Sequence, residues 1–357
     1  MLKAVGGKTR PPRVGIIANP VSARDIRRVI ANATSLQITD RANIILRVLA
    51  CLKACGVEEV VMMPESGGVR YHVMRGVERS KNRGEEEFPN ITYLNMLVTG
   101  SAADSVLAAQ LMREDEVSAI VVLGGDGTHR AVVTGCGGTP IAGISTGTNN
   151  AFPDHREPTI TGLAVGLSVT GRIPADIALA PNKKLIVAVN DVEEIALVDV
   201  AFVTERYIGA RALWRTETFR ELFVTFADPE VIGMSAIAGL LEPVSRREPC
   251  GLHVELAGEG AAAVSLNVPI APGMMRQIDV ASWRRFLPGE IAQPKIEAGS
   301  VALDGEREVS FSEQDKVTIR IAEHAFYTVD VSACMRYAAM NGLMRTSVTQ
   351  QPEVWTV

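Results

Sequence analysis

The stretch Val121-Val122-Leu123-Gly124-Gly125-Asp126-Gly127-Thr128 decides how this chain is interpreted. An apolar run typical of a buried strand ends in three glycines around one carboxylate, and a hydroxyl follows. Glycines lack a Cβ, so their amides can approach a ligand closely, and successive amides before a helix form an anion-binding concavity. A carboxylate in that concavity would face phosphate oxygens. Two roles therefore suit Asp126, which are binding a metal ion and removing a proton.

A second loop of similar chemistry follows the next apolar run, in Ile144-Ser145-Thr146-Gly147-Thr148-Asn149-Asn150. Its hydroxyls and amides can donate to phosphate, and its glycine permits close approach. Two such loops after consecutive strands predict one shared phosphate site. For Ser145 and Thr146, a role as helix caps is equally compatible with the pattern.

The first 150 residues alternate between strand and helix patterns. Strands are predicted at 14–18, 59–63, 91–98, 117–123 and 140–144, and helices at 24–33, 44–55 and 101–112. Continuous apolar strands separated by helices indicate a parallel sheet covered on both faces, which binds ligands beyond the carboxyl ends of its strands. The loops at 19–22, 124–128 and 145–150 are therefore expected at one edge.

The pattern changes to β-rich after about residue 155. Strands are predicted at 185–189, 195–203, 252–256, 262–268, 301–303, 308–311 and 317–321, with a helical interruption at about 210–241. We predict an α/β domain with a Rossmann-like parallel sheet over 1–155 and a β-sandwich-like domain over 156–330. The tail, 331–357, is expected to return to the first domain through a helix at 334–344.

Composition limits the function classes. The net charge of −5 does not predict a broad basic surface for nucleic acid. There is no signal-like apolar segment near the N-terminus and no apolar run of the ~20 residues that span a bilayer, so a cytoplasmic protein without stable membrane association is expected. The five cysteines form no C-x-x-C pair, which favours reduced thiols over disulfides or a transition-metal site.

The sequence resembles a superfamily of kinases. Residues 124–128 match the GGDGT signature that NAD kinases share with diacylglycerol- and sphingosine-type lipid kinases. Companion motifs follow in the same order: Asn19-Pro20 resembles the N-P turn of the lipid kinases, Gly147-Thr148-Asn149 their G-T-x-N loop, Asp304-Gly305-Glu306 their D-G-E, and Asn190-Asp191 the N-[ED] pair of NAD kinases. The opening residues 15–28 most resemble the acetoin catabolism protein X family, which is classed with the ATP-NAD kinases.

The resemblance implies a two-domain kinase with its active site between the domains. The cofactor-binding residues carried over are Asn19, Gly124, Gly125, Gly127, Thr128, Gly147, Thr148, Asn149, Asn190 and Asp191, with ATP phosphates on the two loops and the adenosine end of NAD at Asn190-Asp191. Asp126 is the first candidate for the catalytic group and Glu306 the second. The implied cofactors are ATP and Mg²⁺, with NAD as substrate and no assigned metal ligand. A homodimer acting on small nucleotides is expected.

Several alternatives stay open. Asn150 stands where lipid kinases usually carry Asp, and residues 151–154 read Ala-Phe-Pro-Asp where NAD kinases show G-x-L-G-F-L. A lipid kinase and a non-catalytic nucleotide-binding regulator remain beside the NAD kinase. Arg130 is either a surface residue of a helix start or a phosphate ligand. Both Asn190-Asp191 and Asp304-Gly305 could be simple turns.

Overall fold

A computed structural model describes residues 11–19, 36–85, 88–146, 150–205, 218–258, 260, 262–305 and 307–345. The helices are α1 (Ile38–Ala54), α2 (Val69–Asn82), α3 (Ala102–Glu114), α4 (Asp126–Cys136), α5 (Pro158–Val169), α6 (Ala175–Ala178), α7 (Ser235–Leu241) and α8 (Val331–Met340). The predicted helix at 24–33 lies outside the described residues.

Fifteen strands occur in the described part of the chain. They are β1 (Arg13–Ala18), β2 (Glu59–Met62), β3 (Asn90–Tyr93), β4 (Ala119–Gly124), β5 (Ile141–Ser145), β6 (Leu179–Val189), β7 (Val192–Ala196), β8 (Asp199–Val203), β9 (Phe219–Val224), β10 (Gly251–Leu256), β11 (Val264–Ala271), β12 (Met274–Phe286), β13 (Gly299–Leu303), β14 (Arg307–Phe311) and β15 (Val317–Val329).

The first sheet has eight strands in the order β3-β2-β1-β4-β5-β15-β6-β7. Its first five strands are parallel, as predicted from the alternating pattern. The central strand β4 is buried on both faces because helices cover each side. Val121 and Leu123 pack in a cluster with residues of α1 and α5, and Ile120 and Val122 pack in another with residues of α3 and α4.

The second sheet is antiparallel, with seven strands in the order β11-β12-β10-β9-β8-β13-β14. Its apolar face packs against β6 and β15, the strands of the first sheet that come from the second half of the chain. Leu185 on β6 and Ile319 on β15 share a buried cluster with Phe202, Phe223 and Val301 from the second sheet. The predicted fold class, an α/β part followed by a β-rich part, is confirmed. The predicted domain boundary at 155 stays a prediction.

Two predicted elements are wrong. The strand predicted at 195–203 is two strands, because the chain leaves the first sheet after β7 and enters the second at β8. The helical interruption at 210–241 contains the buried strand β9, and its described helix is only α7. In both cases apolar runs of similar composition serve different elements, so local periodicity did not separate them.

The C-terminal helix α8 packs on the first half of the molecule. Val331, Cys334 and Ala338 belong to the same buried cluster as residues of α1 and β4. The prediction that the tail carries a helix was correct, although it begins three residues earlier than expected. Among the described helices, none is both long and apolar enough to cross a bilayer.

Candidate functional site

Three neighbouring strands end at the same level. The register pairs Ala18 on β1 with Leu123 on β4, and Leu123 in turn with Ile144 on β5. Asn19, Gly124 and Ser145 therefore follow side by side at the carboxyl edge of the sheet. This edge is where a parallel sheet binds its ligands.

The glycine turn fits closely against its surroundings. A Cβ on Gly124 would lie 2.4 Å from the Cβ of Thr128, and one on Gly125 would lie 2.7 Å from Oδ1 of Asn150. Helix α4 begins at Asp126, with Gly125 as its N-cap. The amides of a first helical turn have no acceptor within the helix, and they carry the positive end of its dipole. Only glycine allows this close packing of loop and helix start.

The second loop lies against the first. The amide of Thr146 donates to the Gly124 carbonyl over 3.2 Å, and Nδ2 of Asn150 donates to Oγ of Ser145 over 2.8 Å. The Thr146 hydroxyl is buried and has no hydrogen-bond partner within the described residues. A buried hydroxyl without such a partner, beside a loop of this composition, can form a hydrogen bond with a ligand. Gly147, Thr148 and Asn149 lie outside the described residues.

The buried side chain of His129 fixes the orientation of the glycine turn at residues 124–127. The side chain is completely buried, and Nδ1 lies 2.8 Å from the Gly125 carbonyl, which also accepts from the His129 amide over 3.1 Å. Nδ1 must therefore carry the proton. Because carbonyl and N–H point in opposite directions in a trans peptide, this bond directs the following Asp126 amide away from the helix. Burial lowers the pKa of His129 to about 4, so the ring is neutral at pH 7.

The carboxylate of Asp126 is held by the chain that follows the second loop. Its Oδ2 accepts from the Ala151 amide over 3.0 Å, and its Oδ1 accepts from the Phe152 amide over 2.9 Å. The side chain is 8% exposed. These bonds fix the carboxylate at the first turn of α4, where the helix dipole favours its negative charge.

Arg246 approaches the same segment from the other side. Its Nη2 donates to the Ala151 carbonyl and its Nη1 to the Phe152 carbonyl, both over 2.6 Å. The guanidinium also lies over the ring of Phe226, 4.3 Å from its centroid. Burial lowers the pKa of Arg246, and the charges of Asp154 and Asp126 oppose this effect. No motif in the sequence marks this residue, which lies 120 positions after Asp126 and belongs to a different part of the fold.

Asn19 is buried at the end of β1. Its Nδ2 donates to the Ser101 carbonyl over 2.9 Å and to Oγ of Ser105 over 3.1 Å. The fully buried Arg41 donates from Nη1 to the Asn19 carbonyl over 3.2 Å. Asn19 therefore connects the start of α3 to the strand ends. Pro20 and the arginines at 24, 27 and 28 lie outside the described residues.

Arg130 does not lie on the surface as a plain helix-start residue would. Its Nη1 donates to the Leu303 carbonyl over 3.0 Å, directly before the Asp304-Gly305 turn. Burial raises the pKa of Asp304, and the Arg130 charge and three backbone amides oppose this shift. Those amides belong to Leu197, Val198 and Asp199. Arg130, one helical turn after Asp126 on α4, thus contacts the residue that precedes the D-G turn, although Glu306 itself is outside the described residues.

The Asp304-Gly305 segment is also the hairpin turn that its residues suggested. It joins β13 to β14, and both residues have positive φ, 49° and 65°. The carboxylate of Asp304 accepts hydrogen bonds from the amides of residues 197–199, where the chain crosses from β7 in the first sheet to β8 in the second. Sequence reasoning missed this crossing, since nothing in an apolar run marks where a chain changes sheets.

Asn190 and Asp191 form the tip of the β6–β7 hairpin. Asn190 has a φ of 54°, and its side chain bonds to Asp315 and to the Lys316 amide. β6 runs antiparallel to β15, whose Thr328 pairs with Ile141 at the start of β5. By this register the tip lies roughly 30 Å along β6 from that level, beyond the amino edge of the parallel strands. The structure does not bring this pair to the carboxyl edge.

The residues at the carboxyl edge of the first sheet fit the phosphate groups of ATP, which the resemblance implies. A Cβ at Gly124 or Gly125 would collide with Thr128 or Asn150, the Thr146 hydroxyl is without a partner among the described residues, and a helix begins at Asp126 with amides suited to an anion. Within those residues, no cluster of three acidic, histidine or cysteine side chains could hold a metal ion alone.

Comparison with known proteins agrees with this geometry. Residues 14–171 match the family described as ATP-NAD kinase N-terminal domain, and residues 183–324 match the acetoin catabolism protein X C-terminal domain. The chain is 54% identical over 340 residues to acetoin catabolism protein X of Cupriavidus necator strain H16. The aligned residues cover 94% of each of the two chains. The chain belongs to the acetoin catabolism protein X family.

Its first half thus has the sequence features of a kinase domain. Among solved structures, the chain is similar to "a putative diacylglycerol kinase" from Bacillus anthracis strain Sterne, with a TM-score of 0.44 and 12% identity. The similarity covers 89% of this chain and 98% of that one.

Proposed function

We propose that this member of the acetoin catabolism protein X family catalyses phosphoryl transfer from ATP, with Mg²⁺, to a hydroxyl of NAD or a related small metabolite. The observation that carries the proposal is the common level at which β1, β4 and β5 end. Asn19, the start of the GGDGT turn and Ser145 directly follow these strand ends, and the GGDGT turn and the loop that begins at Ser145 are the proposed phosphate-binding segments. The match of residues 14–171 to the ATP-NAD kinase N-terminal domain supports this.

The chain's own residues have distinct tasks in this proposal. The amides of 124–128, with Thr128 and the loop at 147–149, bind phosphate oxygens and neutralise charge that develops during transfer. When bound, Mg²⁺ supplies further neutralisation and orients the phosphates. Phosphoryl transfer depends mainly on such positioning, so a rigid turn is an advantage. His129 provides that rigidity by fixing the Gly125 carbonyl.

Asp126 is the proposed group near the acceptor hydroxyl. The amides of Ala151 and Phe152 each donate to one of its carboxylate oxygens and hold the group at the start of α4. A carboxylate held at this edge of the sheet can act as a base toward a substrate hydroxyl, and a well-placed base raises the rate by about 10²–10⁴. Glu306 is the alternative base, since Arg130 docks the turn that precedes it on α4.

A second candidate function is nucleotide binding without catalysis, as in a regulator of a catabolic pathway. One observation favours it. Both oxygens of Asp126 bond to the chain's own backbone, which is also what a purely structural carboxylate would do. The two functions share the phosphate site and differ in turnover.

The proposal includes a homodimer located in the cytoplasm, with the domain limits 1–155 and 156–330. All five cysteines are free thiols, as expected where thiols stay reduced. Light scattering of the full chain tests the dimer, and a monomeric mass at micromolar concentration would contradict it.

The function is tested by incubating pure protein with ATP, Mg²⁺ and NAD and measuring NADP by mass spectrometry. The proposal predicts NADP, or a phosphorylated product when other hydroxylated metabolites replace NAD. Vesicles containing diacylglycerol form a parallel assay, and phosphatidic acid as the only product would favour a lipid kinase. ATP binding by calorimetry without any product would favour the regulator, and absence of both binding and product would exclude all three.

A further inference from the structure

A cavity lies beside β5 and the end of β15. β5 and β15 are neighbours, but they share a single paired position, Ile141 with Thr328. β15 ends one residue later, at Val329, and this cavity, of about 280 Å³, lies between Gly143 on β5 and residues 328–332. It continues into a cavity of about 370 Å³ that shares residues 180–182 and 246–247 with it.

The smaller cavity has an excess of positive charge. Three arginines line it, Arg156, Arg246 and Arg247, against two carboxylates, Asp154 and Asp330. Arg156 and Arg247 pair with those carboxylates, and Arg246 bonds to two backbone carbonyls. A guanidinium has five N–H groups, so these contacts leave donors for a ligand.

The start of α8 adds to the same cavity. Asp330 caps this helix by accepting from the Ala333 amide, and Val331 and Ser332 line the cavity. Nη1 of Arg156 donates to Oγ of Ser332 over 2.9 Å, which fixes an arginine beside the positive end of the helix dipole. Arginine beside a helix start is suited to carboxylate and phosphate groups.

The larger cavity carries more carboxylates. Asp176, Glu248 and Glu323 line it, together with the shared residues Arg246, Arg247 and Asp330. Its Lys183 is occupied, because the ammonium donates to the carbonyls of residues 245, 248 and 250. A ligand that fills both would direct its anionic group toward the arginines and its polar, uncharged part toward the acidic side.

We propose that this arginine-lined crevice between β5 and β15 is a second binding site, distinct from the phosphate loops, for a small organic anion with a carboxylate or phosphate group. The inference does not depend on the proposed kinase activity. Arg246 belongs to the crevice, and it also holds the carbonyls of the two residues whose amides hold Asp126. Occupancy of the crevice therefore acts on the segment that positions Asp126.

The test is calorimetric titration of the full-length protein with inorganic phosphate and, separately, with lactate, up to about 10 mM, a concentration that detects weak binding. Four variants accompany the wild type: Arg156→Gln and Arg247→Gln in the crevice, Gly125→Ala in the phosphate loop, and Arg79→Gln on the exposed face of α2 as a charge-matched control. Unchanged thermal melting confirms that each variant folds.

The proposal predicts binding of at least one probe that both crevice variants weaken tenfold or more, while Gly125→Ala and Arg79→Gln leave it within a factor of two. Phosphate binding without lactate binding would define a phosphate site, and the reverse a carboxylate site. Hydrogen exchange should slow in residues 329–334 when the probe is bound. No binding of either probe, or binding that Gly125→Ala abolishes and the arginine variants do not change, would overturn the proposal.

Discussion

Asp126 and Arg246 hydrogen-bond to the same two residues from opposite sides. Asp126 accepts from the amides of Ala151 and Phe152, and Arg246 donates to their carbonyls. Arg246 lies between α7 and β10, so this segment connects the start of α4 to the part of the chain that builds the second sheet. The position of the candidate catalytic carboxylate is thus set from both halves of the chain.

Replacing Asp126 by Asn tests both roles of the carboxylate. Asparagine has one acceptor oxygen, so the Ala151 or the Phe152 amide loses its partner, at a cost of about 1–3 kcal/mol in the free energy of unfolding. Turnover is expected to disappear while the protein still folds. Urea unfolding and product formation measure the two effects, with Asp279→Asn on the exposed face of β12 as control. Undiminished turnover would remove Asp126 from the mechanism.

Adding a methyl group at Gly124 should disrupt the packing of the glycine turn against Thr128. In Gly124→Ala the new Cβ would lie 2.4 Å from the Cβ of Thr128. We expect a loss of about 1–3 kcal/mol in stability from overpacking, and at least a tenfold loss in ATP affinity. Gly138→Ala is the matched control, since a Cβ there has no atom within 4 Å. Equal ATP affinity for the two variants, measured by calorimetry, would contradict the phosphate-loop assignment.

The buried histidine predicts a pH dependence of stability. The folded pKa of His129 is about 4, below the value near 6.5 expected on unfolding. Between these values the unfolded state binds more protons, so the free energy of unfolding decreases as the pH falls, by about 3 kcal/mol in all. In His129→Asn a donor to Gly125 is kept and the titration is removed.

That variant should be less stable than the wild type near pH 7, and the difference between them should shrink toward pH 4. Urea unfolding at several pH values measures it. A constant difference over this range would show that His129 does not titrate as its burial implies.

Arg130 is predicted to position the D-G-E turn. Arg130→Met leaves the Leu303 carbonyl without this donor and Asp304 without its nearby charge. We expect a loss of about 1–3 kcal/mol in stability and a lower kcat with little change in ATP affinity. Arg130→Lys, which keeps the charge, should recover part of the stability. A kcat equal to that of the wild type would separate this turn from turnover.

The sequence predicted the parallel part of the fold and the edge at which its loops meet. Continuous apolar strands such as Val121 to Leu123 carry that information locally, because burial on both faces permits no polar position. The turn at Asp304-Gly305 could also be predicted locally, because these two residue types favour a hairpin turn. The two loops, too, could be located, since glycine, hydroxyl and amide residues directly follow two consecutive apolar runs of the sequence.

Other features depend on contacts that no local pattern records. The crossing at Leu197 to Asp199 is fixed by Asp304, more than a hundred residues later. Arg246 and the burial of His129 follow from how the two halves pack. The N-D pair at 190–191 matched a motif by type, but β-strand register places it at the opposite edge. Motif order alone does not establish proximity when strands reverse direction.

A crystal structure of the protein with a non-hydrolysable ATP analogue, Mg²⁺ and NAD would show where the phosphoryl donor binds. We expect the triphosphate on the amides of 124–128 and the loop at 145–150, with an acceptor hydroxyl facing Asp126 or Glu306. A triphosphate bound in the crevice around Arg156 and Arg247, with the GGDGT turn empty, would contradict this expectation.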